Sequence, residues 1–148
     1  MEHRNIKKFL KNLNIENLPP DSRRDLKRTA AQLDRKQRQA VVKEDFLSFV
    51  KYMWPAFIEG AHHRHVAEKF NKLREGKITR LIINMPPRHT KSEFASYLLP
   101  AWMIGNQPDL KIIQATHTAE LAIRFGRKAK HLMDSENYKE IFPTRLME

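Results

Sequence analysis

The 148-residue chain has no cysteine. That excludes a disulfide frame and any thiolate zinc site, and it is compatible with a reducing cytosol. No apolar run approaches the ~18 residues that a membrane-spanning helix needs. The N-terminal residues are charged and lack an apolar signal core, so no export signal is expected. Internal repeats and low-complexity tracts are absent. So is an apolar strand ending in acidic residues; the nearest imitation, Val41-Val42-Lys43-Glu44-Asp45, carries a lysine in its midst. These absences leave a soluble intracellular protein of one domain or most of one, long enough to bury a core of a few layers.

Positive charge is in excess: the formal net charge is +11 and the pI about 10.1. Much of it lies in the first forty residues and again from Arg124 to His131. Such a surplus attracts polyanions, namely nucleic acid, acidic membrane surfaces or acidic proteins. Binding to DNA would then weaken steeply with salt. A lysine-rich surface that only keeps the chain soluble is the plainer alternative.

Periodicity predicts a short helix over Ile6 to Leu13, stopped by Asn14 and Pro19-Pro20. A second helix, capped by Asp21 or Ser22, is predicted to run through Gln39. Its apolar positions Leu26, Ala30, Leu33 and Ala40 form a thin stripe, which suits a helix at a domain edge or against a partner. Asp45 is predicted to cap a helix whose inner face is Phe46, Phe49, Val50 and Met53, ended by Trp54-Pro55. His63 to Glu75, with Val66, Phe70 and Leu73 inward, is the next helix, closed by Gly76. His62, His63 and His65 cluster beside Gly60. A zinc site needs three or four ligands, and nothing nearby completes the set.

Beyond Gly76 the pattern changes. Thr79–Met85 reads as a strand, followed by a proline-led loop and a helix from Lys91 to about Met103 that Pro100 should kink or restart. Gly105 to Asp109 is a turn cluster. Leu110–Ala115 reads as a second strand, Thr116 to Thr118 as a cap, and Ala119–Met133 as a helix with Leu121, Ala122, Phe125, Ala129 and Leu132 inward. Strand, crossover helix and strand make a βαβ unit with two parallel strands. From Met133 to Glu148 a turn and a ragged end are expected.

The segment Leu81-Ile82-Ile83-Asn84-Met85-Pro86-Pro87-Arg88-His89-Thr90-Lys91-Ser92 carries the chemistry. A strand, a tight loop, Lys-Ser and a helix are the layout of a nucleotide-phosphate site. Backbone N–H groups at a helix start cradle phosphate, the lysine reaches the β/γ oxygens and the hydroxyl ligates Mg²⁺. Against G-x-x-x-x-G-K-[ST], Met85 stands at the first glycine and Thr90 at the second. A β-branched residue at positive φ is an outlier. Phosphate binding therefore predicts Thr90 in ordinary right-handed space, with Pro86 and Pro87 fixing the turn. The competing assignment is a strand-to-helix loop with a solvated arginine and lysine.

This loop resembles that of the large terminase subunits of tailed bacteriophages, which often carry Pro-Pro-Arg-x-x-Lys-Ser in place of the glycine-rich form. The resemblance continues through Pro100-Ala101-Trp102, Pro108 to Ile113, Leu121 to Arg127 and Tyr138 to Pro143, and covers roughly residues 42 to 148. It implies an α/β fold of the helicase-related P-loop NTPase class, a parallel sheet flanked by helices. Residues 1–44 would be a basic helical extension and 45–148 the N-terminal portion of the ATPase domain. The family's acidic strand and its RNase H-like nuclease have no counterpart here. The activity implied is an ATPase that drives double-stranded DNA into the prohead. The implied partners are the portal protein, a small terminase subunit and further copies in a ring, in the host cytoplasm and transiently at the portal.

Carried over residue by residue, Lys91 would hold the β/γ-phosphates of ATP and Ser92 its Mg²⁺. Arg88 would stabilise charge on the γ-phosphate, and Pro87, His89 and Thr90 would complete the cradle. The base would lie near Trp54 to His65, with Phe57 and His63 as candidates. Without an acidic strand, the chain is expected to bind nucleotide weakly and to hydrolyse it slowly or not at all. A basic DNA-binding or assembly module with a non-functional loop is the alternative. A helicase-like ATPase fragment is a third possibility, but it leaves the Phe125-Gly126-Arg127 and Ile141-Phe142-Pro143 blocks unexplained.

Overall fold

The structure, a computed structural model, describes residues 19–143. The helix expected over Ile6 to Leu13 lies outside them. The chain divides into two units, one ending at Val41 and the other beginning at Val42.

Helix α1 (Pro20–Glu44) begins at Pro20, a residue whose missing N–H costs nothing in a first helical turn. It runs on to Glu44 rather than ending at Gln39. In the first unit the thin apolar stripe stays thin: Leu26 and Ala30 are half-buried, and Leu33 and Ala40 are exposed. Arg38 pairs with Asp34 one turn away.

The second unit contains α2 (Phe46–Met53), α3 (Ala61–Arg74), α4 (Lys91–Glu93), a π-helical turn (Phe94–Leu98), α5 (Leu99–Asn106), α6 (Ala119–Asp134) and α7 (Glu136–Ile141). Asp45 caps α2 as its position predicts, accepting the Ser48 backbone N–H at 2.8 Å. Its other oxygen accepts from Asn71 Nδ2 at 2.8 Å, while Asn71 Oδ1 accepts the Phe46 N–H at 2.9 Å. Thus one carboxylate starts α2 and fixes it to α3.

Phe46 is fully buried at the centre, with ring contacts to Phe70 at 5.0 Å, Phe94 at 5.4 Å and Trp102 at 5.5 Å. Each buried phenylalanine contributes about 1.5–3 kcal/mol of transfer free energy. Trp102 satisfies its indole N–H on the Val42 carbonyl at 3.3 Å.

Helix α3 ends in a Schellman motif. Gly76 takes φ +71°, its N–H bonds the Leu73 carbonyl at 3.1 Å, and the Lys77 N–H reaches the Lys72 carbonyl at 2.9 Å. The restart expected at Pro100 takes the form of the π-turn, in which the Leu99 N–H bonds the Phe94 carbonyl. Proline supplies no N–H, and a wider turn just before it absorbs the change of register.

The α/β expectation is overturned. Among the described residues there is no strand and no sheet, so neither the parallel-sheet P-loop fold nor the βαβ unit is present. The predicted strand Thr79–Met85 keeps an alternation, with Leu81 and Ile83 packed on the core and Ile82 87% exposed. It has no backbone partner among the described residues. The predicted strand Leu110–Ala115 has every residue from Lys111 to Ala115 exposed, and Ile113 is 96% exposed. Alternation and β-branching report a fit to a pleated surface, but a strand exists only through a neighbour's ladder.

The ragged end expected from Met133 is also corrected. Ser135 caps α7, accepting the Tyr138 N–H at 3.3 Å, and Tyr138, Ile141 and Phe142 are core residues. Val41 to Asp45, the nearest imitation of an acidic strand, is the end of α1 and the cap of α2.

Candidate functional site

The loop from Pro86 to Ser92 connects the extended segment to α4. Its backbone departs from the sequence expectation at the residue that mattered most. Thr90 is left-handed, at φ 59° and ψ 8°, and Arg88 also has positive φ, at 64°. His89 between them does not, and Lys91 after them is helical. Alternation of this kind turns successive N–H groups toward one side, the geometry of a backbone anion nest. Holding a threonine there costs on the order of 1–3 kcal/mol. The surrounding contacts must supply it.

The loop residues from Pro86 to Glu93 line a concavity of about 240 Å³. The amides that open α4 have no intrahelical partners by construction. Among the described residues, no hydrogen bond is donated by the backbone N–H groups of Lys91, Ser92 or Glu93. Lys91 Nζ folds back to the Met85 carbonyl at 3.3 Å, and Arg88, Lys91 and Ser92 are exposed. The one carboxylate on the concavity, Glu93, accepts from Lys128 Nζ at 3.1 Å through both oxygens.

Beneath, the loop packs on His63, Val66, Ile83, Met85 and Phe94 with no room for water. His63, one of the candidates for base contact, is 6% exposed. Its Nδ1 accepts the Gly60 N–H at 2.9 Å, and its Nε2 lies 2.6 Å from Thr90 Oγ1. Burial pushes its pKa down; His62 and His89 add to the shift and Glu59 opposes it. Phe57, the other candidate, is half-buried, with its ring 4.8 Å from His63 and 5.5 Å from Phe94. His89 stays exposed and bonds the Pro87 carbonyl at 2.9 Å.

The structure therefore brings Pro87, Arg88, His89, Thr90, Lys91 and Ser92 to one concavity, with His63 and Phe57 behind it. Sequence reasoning missed the Glu93–Lys128 pair and the His63–Thr90 bond. Only the position of His63, three residues after Gly60 at a helix start, offered a signal for the latter. No group of three or more His, Asp or Glu side chains fit to hold a metal occurs among the described residues. No helix there is long and apolar enough to cross a membrane.

A second concavity, about 410 Å³ and open, lies between the π-turn and α6. Tyr97, Arg127, Lys128, His131 and Leu132 line it, and burial together with Glu93 pushes the Tyr97 pKa up to about 12.

Comparison of the chain with protein-family models, with curated proteins and with solved structures returned no match.

Proposed function

We propose that Pro86 to Ser92 is a phosphate-binding loop that takes the polyphosphate of Mg-ATP, and that the chain is an ATP-binding segment of a DNA-packaging motor of the large-terminase kind. The right-handed Thr90 expected of a phosphate loop is not found; what supports the first part instead is the alternating backbone at Arg88 and Thr90, which runs directly into Lys91 and the free amides of α4. Lys91 leaves a single 3.3 Å carbonyl contact to reach the β/γ oxygens, Ser92 offers its hydroxyl to Mg²⁺, and Arg88 brings a planar guanidinium to the γ-phosphate. The strand that opens the expected layout is absent among the described residues, so the proposal stands on the loop backbone and Lys91 alone.

Hydrolysis by this chain alone is slow. The carboxylate nearest the loop is held by Lys128, and Asp45 spends both oxygens on Ser48 and Asn71. Neither is placed to orient a water. The motor assignment, with duplex DNA, a portal, a small subunit and a ring of copies in the host cytoplasm as its partners, rests on the sequence resemblance and on the +11 charge.

Calorimetric titration of Mg-ATP into the parent and Lys91→Ala tests the loop. Loss of a hydrogen-bonded cation predicts roughly 10- to 100-fold weaker binding by the variant. Equal affinity would refute the assignment. It would favour a basic DNA-binding or assembly module, which the largely exposed, charged face of α1 also suits.

A further inference from the structure

We infer that His63 is the positioning residue of the phosphate loop, holding Thr90 in its left-handed conformation through a directed hydrogen-bond chain. The inference rests on the phosphate-loop proposal for its functional meaning, but its structural part stands on its own geometry.

The direction of the chain follows from one donor. The Gly60 backbone N–H donates to His63 Nδ1 at 2.9 Å, so that nitrogen carries no proton. The neutral ring therefore bears its proton on Nε2, which donates to Thr90 Oγ1 at 2.6 Å. Thr90 Oγ1 in turn donates to the His89 carbonyl at 2.7 Å. Backbone of α3, imidazole, hydroxyl and loop backbone are thus linked in one sense. The ring cannot turn away, because Phe57 and Phe94 pack on it at 4.8 and 5.2 Å.

The consequence falls on the residue that needs support. A threonine at φ 59° is unfavourable by itself, and glycine would adopt that conformation freely. Thr90 supplies something glycine lacks, a hydroxyl for His63 to grip. A side-chain clamp here takes the place of backbone permissiveness. His63 then acts on phosphate through Thr90 without touching it.

The test uses four variants of the full chain: His63→Asn, His63→Gln, His63→Asn combined with Thr90→Gly, and Lys91→Ala. His63→Asn keeps an acceptor for Gly60 but does not reach Thr90; His63→Gln restores a donor near the Nε2 position. Thr90→Gly removes the need for the clamp. His63→Asn should bind a fluorescent Mg-ATP analogue about tenfold more weakly. His63→Gln should recover part of the loss, and His63→Asn with Thr90→Gly should return to within about threefold of the parent. Backbone chemical shifts of Thr90, read without nucleotide, should leave the left-handed range in His63→Asn alone.

If Thr90 keeps its left-handed shifts in His63→Asn, the inference is overturned whatever the nucleotide does. Failure of Thr90→Gly to rescue also overturns it, because His63 would then act on the fold in general. If the shifts move as expected while parent and Lys91→Ala bind the analogue equally, the clamp stands and the phosphate-loop proposal fails.

Discussion

The Tyr138 hydroxyl donates to the main-chain carbonyl of Ala101 at 2.7 Å, with both residues fully buried. The bond joins α7 to α5, part of the helical run that follows the Pro86–Ser92 loop. The helical run that follows the loop is thus backed at its cap, Thr90, by His63 and farther along, at Ala101, by Tyr138. Removal of the Tyr138 hydroxyl leaves a buried carbonyl without that partner. Tyr138→Phe should lower stability by about 1–2 kcal/mol, read as a lower denaturant midpoint with an unchanged slope.

Gly105 and Gly126 both lie in helices, and they should respond oppositely to alanine. A Cβ on Gly105 would stand 2.6 Å from the Phe142 ring and 2.7 Å from the Tyr138 hydroxyl. Overpacking of that kind costs about 1–3 kcal/mol and outweighs the ~1 kcal/mol of helix propensity gained. A Cβ on Gly126 meets nothing within 4 Å. Gly105→Ala should therefore melt at a lower temperature than the parent, and Gly126→Ala at a higher one.

Stability should also fall on mild acidification. Burial lowers the folded-state pKa of His63 from its ordinary 6.5, so the unfolded chain binds the extra proton first. The stabilisation is complete above pH 6.5 and is lost as pH falls through the lower folded value. Protonation at Nδ1 would also displace the Gly60 N–H. Melting curves between pH 7 and pH 5 should show a decline in the parent that is flatter in His63→Asn. Equal slopes would show that His63 does not set the dependence.

Duplex DNA should bind with a steep inverse dependence on salt, given a +11 chain whose cations line α1 and the exposed side of α6. Substituting Arg124 and Arg127 together should reduce the slope of log affinity against log salt by about 2. A slope near zero in the parent would separate the basic surface from any polyanion.

Helical order was largely legible in the sequence. The Asp45 cap, the Phe46-Phe49-Val50 face and the Gly76 terminus each follow from a local rule, and each occurs as read. The two strands were not. Ile82 and Ile113 carry the right residue type, but pairing depends on a neighbour that local pattern cannot supply. Helix α7 was missed because its buried positions, Tyr138 and Ile141, are too few to show a period, and the seating of Tyr138 and of the following Phe142 uses the space left by Gly105. At the loop, sequence placed Lys91 and Ser92 beside a turn but put Thr90 in the wrong hand. Steric preference argued for right-handed backbone; a tertiary bond from His63 overrides it.

Whether the loop takes phosphate through its own backbone is best decided by following the amide resonances of isotope-labelled chain during titration with Mg-ATP. Shifts should saturate at Arg88 to Ser92, with Thr90 and Lys91 foremost, and Lys91→Ala should need roughly 10- to 100-fold more nucleotide to reach them. Shifts confined to the basic helices, with the loop amides unmoved, would contradict the phosphate-loop proposal.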